Sequence, residues 1–156
     1  MMNVILYGSQ TGNSEQIAKE MTTILEEHYG IPFTCTTLDD FISTFQKGDD
    51  SQIIFIICST TGNGDPPENA CLFWRKIKNR TLPKTFFQNT QYFVVGLGDT
   101  NYNHFCRMGK NIYQRMKELG SKPLGDLITI DEVQDMEEQV EEMYKTALPL
   151  FCPPIH

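Results

Sequence analysis

Residues 53–58 read IIFIIC, an unbroken apolar run that empties into the nine residues STTGNGDPP. A strand with one wet face alternates apolar and polar side chains. A continuous run is covered on both faces, which is the situation of a parallel sheet wrapped by helices. The remaining chain supplies those helices. Residues 3–7 form a short apolar run, followed by a helical stripe of Ile17, Ala18, Met21, Ile24 and Leu25. Residues 33–37 are β-rich, and Leu38, Phe41, Ile42 and Phe45 mark a short helix. Beyond the two prolines come a stripe of Ala70, Phe73, Trp74 and Ile77 and a strand over 91–95. Gly109, Ile112, Tyr113, Met116 and Leu119 make the next helix, stopped by Gly120. A fifth strand is expected over 127–130, and Met136, Val140, Met143, Tyr144 and Ala147 predict a closing helix with an acidic outer face. Five strands alternating with five helices predict an α/β, three-layer sandwich with a parallel sheet and helices on both faces.

The length of 156 residues suits one domain with a sizeable core. Residues 1–148 are read as that domain, and 149–156, with their double proline, as its end or the start of a linker. No apolar run approaches the roughly 18–20 residues that cross a bilayer. The start, MMNVILYGSQ, lacks the basic region of a signal peptide, so a cytoplasmic location is expected. Five cysteines, Cys35, Cys58, Cys71, Cys106 and Cys152, are an odd number without metal-ligand spacing, so neither a zinc site nor a disulfide framework is expected. A net charge of −7 argues against nucleic acid and would steer a partner with a basic face toward the chain.

In open α/β sheets, ligands bind beyond the carboxyl ends of the strands. The loop after the first strand, Gly8-Ser9-Gln10-Thr11-Gly12-Asn13-Ser14, combines hydroxyls and glycines with a helix N-terminus, a seat for phosphate. It holds no Lys or Arg, so it is no Walker loop. Read alone, Ser14 could equally be a plain helix cap. The loop after the third strand is STTGNGDPP itself. After the fourth come Gly96-Leu97-Gly98-Asp99-Thr100-Asn101-Tyr102-Asn103-His104-Phe105. Asn101 stands where a dinucleotide fingerprint needs its third glycine, which weakens an NAD reading. Tyr102 could stack on a flat ligand, or pack over its own helix. His104 has no second histidine or nucleophile beside it. No Gly-x-Ser-x-Gly elbow occurs, and a phosphorelay receiver fails because Gly8-Ser9 and Cys58-Ser59 occupy its acidic positions.

Three ordered stretches together resemble one family. Ser9-Gln10-Thr11-Gly12, Thr60-Thr61-Gly62-Asn63-Gly64-Asp65-Pro66-Pro67, and Gly96-Leu97-Gly98-Asp99 with Tyr102 and Phe105 are similar to the flavodoxin-like FMN domain of diflavin reductases. Phe73-Trp74-Arg75 with Leu82-Pro83, and Met108-Gly109-Lys110 with Glu118-Leu119-Gly120, extend the likeness from Val4 to about Leu148. The Thr-Thr-Gly-x-Gly-Asp-Pro-Pro wording is most similar to the NADPH-dependent diflavin oxidoreductase and methionine synthase reductase branches.

The resemblance implies a flavodoxin-like sheet of order 2-1-3-4-5 and an FMN cofactor. Ser9, Gln10, Thr11, Gly12, Asn13 and Ser14 would wrap its phosphate. Ser59, Thr60, Thr61, Gly62, Asn63 and Gly64 would run along the ring edge. Leu97, Gly98, Asp99, Asn101, Tyr102, Asn103, His104, Phe105 and Cys106 would cover the outer face, with Tyr102 stacked on the ring. Asp131 and Glu132 match an acidic position bordering the flavin, Glu132 the better aligned. Two departures stand out: Thr61 replaces an aromatic of the microsomal-type reductases, and Cys106 replaces an asparagine. Glycine at 62 would let its peptide rotate at the ring edge. Acids beside the ring, without positive charge, would favour a strong reductant.

The resemblance further implies an electron-transfer domain rather than a complete enzyme. It would take electrons from an FAD- and NADPH-binding reductase module, in cis or trans, and pass them singly to an iron–sulfur, haem or cobalamin protein with a basic docking face. That module is expected to lie outside this chain, which reads as a monomeric domain excised from a longer protein, with no membrane segment. The alternative is a flavin-free interaction module on the same fold.

Overall fold

The apolar run of residues 53–58 is buried on both sides, and the alternation of its neighbours decides which helices cover each side. A computed structural model describes residues 3–48 and 51–151. Of the expected tail, 149–151 belong to the last helix, and Cys152 to His156 lie outside the described residues. The order is β1 (Val4–Gly8), α1 (Asn13–Tyr29), β2 (Thr34–Thr37), α2 (Leu38–Thr44) and β3 (Gln52–Ser59). A 3-10 turn (Glu68–Ala70) leads into α3 (Cys71–Ile77), then β4 (Thr90–Gly98) and α4 (Arg107–Glu118). The chain closes with β5 (Lys122–Pro123), β6 (Ile128–Asp131) and α5 (Met136–Phe151), which continues through Pro149.

All strands pair parallel in the order β2-β1-β3-β4-β5, and β6 also pairs with β4. The expected fifth strand is therefore an interrupted one. Lys122 pairs with Gln91 and Ile128 with Val95, and the Leu124 N–H still reaches the Tyr92 carbonyl at 2.8 Å. The break falls at Pro123, which has no N–H to donate, and at Gly125-Asp126, both poor strand residues.

Period-two alternation sorts the core. Leu6, Ile54, Ile56, Tyr92 and Val94 face α2, α3 and α4 in one cluster with Phe73, Phe87 and Met116. Ile5, Phe55, Ile57, Phe93 and Val95 face α1 and α5 in the other, with Met21, Leu25 and Met143. Phe55 and Phe93 stack across adjacent strands at 5.2 Å. Burying each such side chain contributes about 1.5–3 kcal/mol, so the sheet is held from both sides.

Helix ends are fixed by local chemistry. The Thr37 hydroxyl accepts from the Asp40 N–H to start α2, and the Asp39 carboxylate accepts from the Phe73 N–H to bind α2 to α3. Gly30 ends α1 in the left-handed region, with Ile31 N–H bonded back to Leu25. Buried Arg115 of α4 donates to the carbonyls of Ile77 at the end of α3 and Asn79 just past it, and to Glu118, tying α3 to α4. Gly109 sits against β4 so tightly that a methyl there would lie 2.8 Å from the Gly96 Cα. Helix α4 is thus pinned backbone-to-backbone on the strand that delivers the fourth loop.

Candidate functional site

Strands β1, β3, β4 and β6 end side by side, and their loops are knitted together. The Ser9 N–H donates to Asn69 Oδ1 at 2.9 Å, and Ser14 Oγ meets Ser59 Oγ at 2.8 Å, both hydroxyls buried. Thr60 bridges to the fourth loop twice, its N–H to the Leu97 carbonyl and its hydroxyl accepting from the Met108 N–H at 2.9 Å. Asn13 Nδ2 donates to Glu132 Oε2 at 2.6 Å, and the Glu132 N–H donates to the Gly98 carbonyl at 2.7 Å. One continuous rim results from residues far apart in sequence.

The α1 end of the rim suits an anion. Its N-cap is Gly12 at φ 96°, with no side-chain cap, and the first backbone bond runs from Gln16 N–H to the Gly12 carbonyl. The N–H groups of Asn13, Ser14 and Glu15 precede that bond and have no intrahelical acceptor. Ser9 Oγ accepts from the Gly12 N–H at 2.9 Å, which holds the loop open in front of them. Ser14 is therefore not the cap; its hydroxyl faces Ser59. Gln10, Thr11 and Gly12 are exposed. Uncapped N–H groups, the helix dipole and nearby hydroxyls form a donor set that fits a phosphate.

The β3 loop turns through Thr61. The Gly64 N–H bonds to the Thr61 carbonyl, and the Asp65 N–H to the Thr61 hydroxyl at 3.1 Å. Gly64, at φ 86°, is the residue of this loop in the left-handed region. Gly62 is needed for closeness instead: a methyl there would lie 3.3 Å from Tyr102 Cε1. The Tyr102 ring thus rests on Gly62 while staying 54% exposed. His104 rests on Gly64 in the same way, and its Nδ1 lies 3.2 Å from Arg107 Nη1. Aromatic rings laid on bare backbone are a slot that a flat ring can enter by displacing one exposed side chain.

The other expected residues divide by role. Leu97 and Gly98 are buried in β4, so they offer backbone to the rim. Asp99 turns the loop by accepting from the Asn101 N–H at 2.8 Å. Asn101, Asn103 and Asn63 are exposed, and Phe105 is half-buried beneath Lys110. Cys106, at φ 53°, turns its thiol inward to the Gly96 carbonyl at 3.3 Å, and burial pushes that thiol's pKa up to about 12. Asp131 is committed to the fourth loop: it accepts from the Thr100 hydroxyl at 2.5 Å and from the N–H groups of Thr100 and Val133. The Thr100 bond holds its carboxyl below the ordinary range. Glu132 is half-buried and reaches Asn13, so of the two acids it stands at the rim.

Two features were not foreseen. Asn69, which fixes Ser9, gave no signal beyond its place in a polar turn. The expected lack of positive charge holds for residues 9–14 only, because α4 brings Arg107 and Lys110 to the other side of the rim. A cleft of about 600 Å3 lies between α1 and α5 but shares only Asn13 with these loops. It lacks the helix N–H groups, so the rim is the better candidate.

The flavodoxin family profile matches residues 5–143. The chain belongs to the flavodoxin family. It is 37% identical over 123 residues to NADPH-dependent diflavin oxidoreductase 1 of Xenopus laevis, covering 78% of the chain and 20% of that protein. It is 34% identical over 139 residues to human methionine synthase reductase, covering 88% of the chain and 20% of that protein. This flavodoxin domain thus spans about a fifth of the length of these relatives. The crystal structure of oxidised flavodoxin 1 from Bacillus cereus superimposes with a TM-score of 0.74 at 16% identity, covering 99% of this chain and 100% of that one. That likeness concerns the fold. Among the described residues, no helix is long and apolar enough to cross a membrane.

Proposed function

We propose that this flavodoxin domain binds FMN and carries single electrons between an FAD/NADPH reductase module and a protein acceptor. The observation that carries the reading is the uncapped N-terminus of α1, joined through Ser14–Ser59 and Asn13–Glu132 to the slot where Tyr102 lies on Gly62. An anion seat and a flat slot on one rim match the two ends of a flavin mononucleotide.

The redox chemistry would be supplied by the bound flavin. The chain's own residues do the rest. The N–H groups of Asn13, Ser14 and Glu15, with the hydroxyls of Ser9 and Thr11, hold phosphate without a cation, which suits a cofactor kept rather than exchanged. Gly62 admits a ring edge close to backbone, and Gly64 makes the turn that holds it there. Tyr102 covers one face and, being exposed, can swing to admit the ring. Thr61 leaves the other face less covered than an aromatic would. Glu132, held by Asn13, places negative charge at the rim, while Arg107 offsets part of it from α4.

The kinship with oxidoreductases of which this chain covers a fifth supports a module working with others, and the same reading takes it to work in the cytoplasm. The acceptor would be an iron–sulfur, haem or cobalamin protein. The test is the visible spectrum of the purified chain, with mass identification of any released cofactor and titration of stripped protein with FMN. Yellow protein releasing FMN is expected, and Tyr102→Ala should weaken FMN binding by about 2- to 12-fold from the roughly 0.5–1.5 kcal/mol of ring stacking, and further through lost coverage. A colourless chain that takes up no FMN would leave the flavin-free interaction module as the reading.

A further inference from the structure

Basic residues are concentrated in the α3–α4 half of one face of the sheet, while α2 on that same face carries Asp39 and Asp40. Residues 71–122 hold ten of the thirteen Lys and Arg and only two of the twenty acids, Asp99 and Glu118. The opposite face, α1 and α5, is glutamate-rich, and its lysines are paired: Lys19 with Glu15 at 2.5 Å and Lys145 with Glu142 at 3.2 Å. On the α3–α4 face, Arg75, Lys78 and Arg107 are exposed, and none has a carboxylate within 4.0 Å among the described residues. Unpaired like charges on neighbouring helices are unfavourable for the isolated fold.

These cations line a groove. A cleft of about 390 Å3 contains Trp74, Arg75, Lys78, Arg107 and Asn111, and opens beside Gly64 and Asp65 of the β3 loop. A second, of about 240 Å3, shares Trp74, Lys78 and Asn111 and runs on to Arg80, Gln114 and Arg115, where Glu118 pairs with both arginines and leaves Lys78 as its unpaired cation. The two clefts adjoin at Trp74, Lys78 and Asn111, so a half-buried indole lies where they meet. Unpaired cations spread over both suit an extended acidic chain better than a compact anion. The indole and the lysine and arginine stems give apolar contact, and their heads give charge.

We propose that the α3–α4 groove is a docking site for an acidic segment of a partner protein. It differs from the basic-faced acceptor expected of the flavodoxin domain, and it does not depend on flavin being bound. The complementarity argues for the occupant: an acidic segment neutralises Arg75, Lys78 and Arg107 while the glutamate face turns away from it. Nucleic acid is disfavoured because the chain is acidic overall, with a sequence pI of about 4.9. Docking here would set the partner against the β3 loop, next to the candidate rim.

Trp74 is the chain's sole tryptophan, so its emission reports the groove directly. The experiment titrates the full chain with a fluorescein-labelled, tryptophan-free 12-residue Glu/Asp peptide, reading Trp74 emission and peptide anisotropy together. Both signals should saturate together. Arg75→Glu/Lys78→Glu should weaken binding roughly tenfold, as expected for two charge reversals at an exposed rim. The neutral Arg75→Gln/Lys78→Gln should fall between. Lys19→Glu/Lys145→Glu alters net charge equally on the far face and should leave the affinity within twofold. The proposal is overturned by no saturable anisotropy, by binding with Trp74 silent, or by equal weakening from the far-face pair. It is also overturned if a 12-nucleotide single-stranded DNA or ATP binds as tightly as the peptide.

Discussion

Two glycines of the β3 loop, two residues apart, should respond in opposite ways to alanine. At Gly64 the backbone sits at φ 86°, and an added Cβ would lie 2.9 Å from His104 Cγ and 3.2 Å from Arg107 Cδ. The left-handed conformation alone costs an L-residue about 1–2 kcal/mol, and moving His104 off its contact adds up to about 1 kcal/mol. Gly64→Ala should therefore destabilise by about 1–3 kcal/mol, lowering Tm by roughly 2–12 °C for a domain of this size. Gly62 has no positive φ, and the nearest atoms to its added Cβ belong to the Tyr102 ring, at 3.3 Å and beyond. That ring is exposed and can retreat by a few tenths of an ångström. Removing glycine's freedom from the unfolded chain returns about 0.4–1 kcal/mol, so Gly62→Ala should lie within about 0.5 kcal/mol of the parent. Its cost should appear in the slot instead, as weaker FMN binding with unchanged urea stability. Urea melts of both variants, with FMN titrations of both, check this. If Gly62→Ala proves as destabilising as Gly64→Ala, or Gly64→Ala is neutral, the assignment of turn to one and close approach to the other is wrong.

The buried Ser14–Ser59 pair should show coupling. Each alanine variant leaves one hydroxyl without its partner and should cost about 1–2 kcal/mol, and the double variant less than their sum, by a thermodynamic cycle from urea melts. Asp131 should make the fourth loop acid-sensitive. Its folded pKa lies below the ordinary 3.8, so its bonds to Thr100 and Val133 are intact above that value and lost as pH falls through the folded one. Amide exchange of Thr100 should rise over that range in the parent, and Asp131→Asn should flatten the change. Buried Cys58 and Cys106, with thiol pKa values raised by burial, should resist iodoacetamide in native protein at pH 8. Mass mapping that finds either modified as fast as half-buried Cys71 would contradict their placement.

Legibility followed from how local each signal is. The run 53–58 announced a strand covered twice, and β3 is that strand, extended to Gln52 and Ser59. Helical stripes were visible for the same reason: the core contacts repeat every turn. Polar residues at strand ends singled out the loops that the structure knits into one rim, because topology gathers them at the carboxyl edge of the sheet. The interruption of the outer strand was missed, since Lys122-Pro123 carries no apolar pattern and pairs through only two residues. Ser14 could not be told from a cap, because its partner Ser59 is 45 residues away. The division of labour between Asp131 and Glu132 also needed coordinates, for adjacent residues on a strand end point to opposite sides. The basic groove was readable as a charge imbalance over 71–122, but only the helix pairing joins those cations into one trough.

The pinning of Gly109 on Gly96 bears on how such a domain can be altered. The residues between β4 and α4 are strung between two posts that cannot slide, since any side chain larger than hydrogen at Gly109 would collide with the strand. The exposed positions 101–104 are then where exchange should disturb helix and strand least, whereas Thr100 and Cys106 are tied to Asp131 and Gly96. Recognition and scaffold become separately editable. The same two hydrogen atoms that let α4 settle on the sheet would let selection, or an engineer, rewrite the ring-covering loop while the core stays still.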